Sequence, residues 1–61
     1  MNKEQKSYLE EAKRSDEAED YESMARWVVK AFKSGLGVAF LADEMRLPKE
    51  TVYELIRRKM L

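Results

Sequence analysis

The sequence predicts an all-α fold, with three helices over residues 16–61 and a charged, acidic arm over residues 1–15. Three observations carry this. Glycine and proline occur only at Gly35, Gly37 and Pro48, and they cut the chain into stretches of helical length. Within those stretches apolar residues recur three and four positions apart, the spacing of one helix face. No alternating apolar run and no Asn-Gly pair marks a strand or hairpin in the 61 residues.

The clearest helix is expected from about Asp16 to Ser34. Tyr21, Met24, Ala25, Val28, Ala31 and Phe32 form its inward stripe, with Trp27 and Val29 on the flanks. Asp16 with Glu19 supplies a capping signal for its start, and Asp20 would serve a later start. Gly35 is placed to end the helix in the left-handed region, with Leu36 folding back on the last turn. Trp27 is expected to pack on the final helix, and Met24 and Met45 to fill gaps in the core. Arg26, Lys30 and Lys33 stack on the outward face, where a plain solvated surface is the simplest account. Upstream, Ser7 and Glu10 have capping-box spacing. They predict a short helix over about Tyr8–Arg14, either frayed or continuous with the next, with Leu9 and Ala12 as its inward residues.

After Gly37, Val38–Met45 reads as two turns with Val38, Leu41, Ala42 and Met45 on one face. Pro48 breaks the pattern and suits the first turn of a following helix, because the N–H it lacks would have no helical partner. That last helix is expected over residues 49–60, with Val52, Leu55, Ile56 and Met60 inward and Glu50, Glu54, Arg57 and Arg58 outward.

The composition narrows the chemistry. With no cysteine and no histidine, disulfides, thiolate nucleophiles, imidazole bases and the usual zinc sites are excluded. There is no glycine-rich phosphate loop and no nucleophile beside a base, so the expectation is a protein that is not an enzyme and needs no cofactor or metal. No signal-peptide segment opens the chain and no apolar run is long enough to span a bilayer, so a cytoplasmic location is expected. The formal charge of zero is unevenly spread. Residues 1–22 carry four basic and eight acidic side chains, and residues 23–61 carry eight basic and four acidic. The pattern is a basic body with an acidic arm.

Two short helices joined by the turn Arg46-Leu47-Pro48, with a longer helix before them, have the layout of a helix-turn-helix. Residues 38–57, Val-Ala-Phe-Leu-Ala-Asp-Glu-Met-Arg-Leu-Pro-Lys-Glu-Thr-Val-Tyr-Glu-Leu-Ile-Arg, resemble the helix-turn-helix family of small DNA-binding transcriptional regulators. Ala42 stands where that family needs two helices to touch closely. Leu41, Met45, Leu47, Val52 and Leu55 fall at its apolar positions, and Leu-Pro-Lys-Glu-Thr-Val-Tyr looks like the segment that opens its DNA-reading helix. The family usually has glycine in the turn after the first of the two helices, where positive φ is favoured. This chain has Arg46 there.

The resemblance implies double-stranded DNA as partner, with residues 49–60 in the major groove. Lys49, Glu50, Tyr53, Glu54 and Arg57 would be the reading positions. Arg57 suits guanine, a glutamate can accept from cytosine N4, and Tyr53 can reach a phosphate or a thymine methyl. Lys30, Lys33, Lys49, Arg58 and Lys59 would hold the backbone. Thr51 would reach a phosphate or bond its own helix. A homodimer is expected, through Trp27, Val29 or the N-terminal arm. Against this, Glu50 and Glu54 set two negative charges on the face that would meet a polyanion. The same face therefore also fits a protein-binding module of antirepressor or antitoxin type, and the acidic arm could fold over the basic surface and inhibit it.

Overall fold

A computed structural model describes residues 1–60, and among them are four helices and no strand. The first, α1, spans Lys3–Glu17. Asn2 caps it: its Oδ1 accepts the Gln5 N–H at 2.8 Å, and Gln5 Oε1 accepts the Asn2 N–H at 3.0 Å. This reciprocal pair satisfies two of the N–H groups a helix start leaves open. The Ser7–Glu10 box is not used. Both residues lie inside α1, because Asn2 provides the same chemistry earlier in the chain. The charged N-terminal stretch is thus a helix that runs through residue 15, and its Leu9 and Ala12 are buried in the core.

The expected helix from Asp16 is corrected in the same region. Asp16 lies in the last turn of α1, and the second helix, α2, spans Tyr21–Lys33 with Asp20 as its N-cap. Between them Glu19 adopts φ 58°. Its N–H bonds the Asp16 carbonyl at 3.0 Å, and the Asp20 N–H bonds the Ser15 carbonyl at 2.9 Å. That pairing is the Schellman closure of a helix C-terminus.

The same closure recurs twice. At the end of α2, Gly35 has φ 113°; its N–H reaches Phe32 O at 3.0 Å and the Leu36 N–H reaches Ala31 O at 3.3 Å. The third helix, α3, spans Val38–Met45 and ends at Arg46, with φ 57° and ψ 43°. There Arg46 N–H bonds Asp43 O at 3.3 Å and Leu47 N–H bonds Ala42 O at 3.0 Å. Only one of the three left-handed positions is glycine. The fourth helix, α4, spans Lys49–Met60, and the Pro48 carbonyl accepts the N–H groups of Thr51 and Val52.

The central element is α2, which packs against each of the other helices, whereas α1 and α4 do not meet. Val28 of α2, Leu41 of α3 and Val52 of α4 are fully buried where their helices converge, and Ala42 is buried beside them. Lys13 of α1 bonds Glu44 of α3 at 2.8 Å. Two inward assignments fail: Tyr21 is 56% exposed and Met60 is 51% exposed. Each sits at a helix end, where the apolar stripe runs past the edge of the neighbouring helix. Trp27 stacks on Tyr8 of α1, with ring centroids 6.1 Å apart, and not on the last helix. Val29, expected on a flank, is buried. No described helix is long and apolar enough to cross a membrane.

Candidate nucleic-acid interface

The surface of interest is the outer side of α4. Val52 and Ile56, four residues apart, anchor the helix to the core. The opposite side therefore turns outward, and Lys49, Glu50, Tyr53, Glu54 and Arg57 are all exposed along it. The structure brings these five sequence-suggested residues onto one continuous helix face. Thr51 is half-buried on the flank, and its N–H is taken by the Pro48 carbonyl.

The charges on that face cancel in sign. Lys49 and Arg57 stand with Glu50 and Glu54, and the Arg57 guanidinium is bonded to the Glu54 carboxylate one turn earlier. An exposed pair of this kind adds little to stability, but it draws the Arg57 guanidinium back toward Glu54. Tyr53, Ile56, Arg57 and Met60 line a shallow depression at the C-terminal half of the helix, so an apolar strip lies beside the ionic one.

Arg58 and Lys59 lie on the other flank, facing the start of α2. Lys59 Nζ bonds Glu22 Oε2 at 2.6 Å, tying the last turn of α4 to the first turn of α2. The Lys59 bond holds the Glu22 carboxyl below its ordinary value of 4.5, and Lys59, Arg58 and Arg26 add a favourable field. Next to it, hydrogen bonds from Ser23 hold the capping Asp20 below 3.8, with help from Arg26. Lys59 is thus engaged inside the fold.

Lys30 and Lys33 are not brought to α4. They lie on the α1 side of α2, where both line a hollow with Glu4, Tyr8 and Ser34. Lys30 also places its ammonium 5.0 Å from the Trp27 ring centroid, a cation–π contact. The proposed backbone anchors therefore fall into two groups on different sides of α2. Sequence reasoning had access to the Glu54–Arg57 pair, since its spacing is that of helix neighbours. The Glu22–Lys59 pair spans 37 residues and had no local signal. Phe40, 38% exposed on α3, likewise escaped notice.

Among the described residues no cluster of carboxylates is arranged to hold a metal ion. Comparison of the chain with protein-family models, characterised proteins and solved structures finds no match.

Proposed function

We propose that residues 38–60 act as a helix-turn-helix and that the chain is a small DNA-binding regulator, reading the major groove through α4 and doing no catalysis. The observation that carries this is the junction at Arg46. A left-handed residue closes α3, two further residues pass, and α4 begins at Lys49 with one face on the core and the other free. A reading helix needs that arrangement, because base edges are reached only by side chains that the fold itself does not use.

On this reading Lys49 is the cation nearest the start of the helix and Arg57 the guanine reader, released from Glu54 on binding. Glu50 accepts from a cytosine, and Tyr53 meets a phosphate or a thymine methyl. Thr51 and Arg58 flank the strip and reach phosphates. With balanced charge on the face, non-specific attraction is weak and discrimination rests on base contacts. Lys30 and Lys33, turned toward α1, contribute only to the general field. A regulator of this kind works in the cytoplasm beside its DNA.

The second reading, a protein-binding module, draws on a specific observation: Arg57 is already paired, and the apolar strip of Tyr53, Ile56 and Met60 resembles a protein contact more than a phosphate one. Selection of the full chain against a random duplex pool at low salt separates the two. Enrichment of a defined sequence, with the preference relaxed at one base pair in Arg57→Ala, supports the DNA reading. If no duplex binds more tightly than micromolar, the face belongs to a protein. Residues 1–15 stay in the protein throughout, since removing Leu9 and Ala12 would open the core.

A further inference from the structure

The outward stripe of α4 contains Glu50, Tyr53, Arg57 and Met60, at intervals of three, four and three residues, which is the spacing of a coiled-coil seam. Two of its members are large apolar groups in water, Tyr53 at 59% and Met60 at 51% exposure. The other two are opposite charges one heptad apart. Among the described residues α1 does not approach α4, and the other helices pack on its inner side. The stripe is therefore free along the roughly 18 Å of the 12-residue helix.

A face with a negative group toward one end and a positive group toward the other is self-complementary under a two-fold axis. We propose that α4 pairs with α4 of a second copy of this chain, antiparallel, about an axis passing between Tyr53 and Glu54. In that register Glu50 lies level with Arg57 of the second copy, and Arg57 with its Glu50. The two Tyr53 rings meet at the centre, and each Met60 reaches the level of the other chain's Leu47. A parallel pairing would oppose Glu50 to Glu50 and Arg57 to Arg57, so the charge pattern selects the antiparallel one. In the single chain Arg57 is bonded to Glu54, and pairing exchanges that partner for Glu50 of the second copy. One pair of short helices buries an area at the low end for protein interfaces, so association is in the micromolar range or weaker.

This dimer differs from one through Val29, which is buried, or Trp27, whose ring is covered by Tyr8 and Lys30. It also covers the residues assigned to DNA, so self-association and duplex binding exclude each other, and rising protein concentration switches the reading face off. The pairing itself does not rest on the DNA reading, and its test contains no DNA.

Sedimentation equilibrium from about 10 µM to about 1 mM is the measurement. The wild-type chain dimerises toward the upper end. Glu50→Arg alone and Arg57→Glu alone each set like charges face to face and weaken dimerisation at least about tenfold. An equimolar mixture of these two variants forms a heterodimer, and the double variant recovers the wild-type constant. Helicity by circular dichroism confirms that each variant is folded, and Glu50→Gln with Arg57→Gln replaces any that is not, each again weakening the dimer. A wild-type chain that stays monomeric at the highest concentration overturns the proposal. So does dimerisation unaffected by either change, or a mixture that fails to associate, which would place the contact on another surface or with another protein.

Discussion

Gln5 Nε2 donates to the main-chain carbonyl of Ser34 at 2.8 Å, joining the first turn of α1 to the C-cap of α2 across 29 residues of sequence. The same side chain uses its oxygen to hold the Asn2 N–H, so one amide closes the start of one helix and the end of another. A helix end leaves carbonyls without partners, and this contact satisfies one of them where water has limited access.

Gln5→Ala should therefore cost about 1–2 kcal/mol, because it leaves the Asn2 N–H and the Ser34 carbonyl without their partner while the Asn2 side chain keeps its bond to the backbone N–H of residue 5. Gln5→Glu is the sharper test. It keeps the acceptor for Asn2 but loses the donor for Ser34, and it sets a negative charge at the negative pole of α2. Thermal melting should show Gln5→Glu clearly less stable than wild type. Equal stability in both Gln5→Glu and Gln5→Ala would mean that the bridge to Ser34 contributes nothing, since the gain of a carboxylate in the first turn of α1 is present only in the former.

The two left-handed residues that are not glycine give a prediction of opposite sign. An L side chain in this region costs about 1–2 kcal/mol, and the extra chain entropy of glycine returns about 0.5–1 of it. Glu19→Gly and Arg46→Gly should each raise stability by about 0.5–1 kcal/mol, seen as a melting temperature higher by a few degrees. Gly35→Ala should lower it by a comparable amount. A Cβ there would meet Gln5 Nε2 at an ordinary 3.4 Å, so the loss would come from the backbone and not from crowding.

Glu19 also explains where the sequence misled. Gly35, Gly37 and Pro48 were visible as punctuation, and the boundaries Val38–Met45 and residues 49–60 follow from them. The break at Glu19 carries no such residue. Asp16 and Asp20 are both good capping groups, and propensity alone does not decide which one opens a helix; the end of α1 does, through the Ser15 and Asp16 carbonyls. The burial of Leu9 and Ala12 was legible from their spacing, but the extent of α1 was not, because its remaining residues are largely charged. The outer face of α4 was readable by subtraction once its inward residues were known. The position of Lys30 and Lys33 was not, since it depends on α1 packing beside Trp27.

Acid should loosen the junction of α2 with its neighbours. Asp20 and Glu22 both have folded-state values lowered by hydrogen bonds, the first from Ser23 and the second from Lys59. A carboxylate with a depressed value contributes stability above its unfolded value, and the contribution is lost as pH falls through the folded value. The loss begins near pH 4.5 for Glu22 and near 3.8 for Asp20 and continues below. Both groups are exposed, so the effect is screened by salt. Melting temperature measured from neutral pH downward should fall in that window, and Glu22→Gln should be less stable than wild type at neutral pH with a shallower acid limb. An unchanged limb would show that Lys59 does not hold Glu22 in solution.

The bond between Glu54 and Arg57 makes the DNA reading quantitative. If Arg57 reads guanine, it must leave Glu54 to do so, and the cost of leaving is part of the measured affinity. Glu54→Gln removes that competitor and one negative charge, so binding to the best duplex and to unrelated duplexes should both tighten. Arg57→Ala in the wild-type background should cost about 1–3 kcal/mol on the best site and relax preference at one base pair. In the Glu54→Gln background the same change should cost more, because the free guanidinium had more to lose. This difference is the coupling energy of the pair. The titrations belong well below the concentration at which the chain self-associates, so that occlusion of α4 does not enter. If Arg57→Ala weakens every duplex by the same factor, Arg57 holds a phosphate and the base reader lies elsewhere on the helix. If it changes nothing in either background, α4 does not enter the groove.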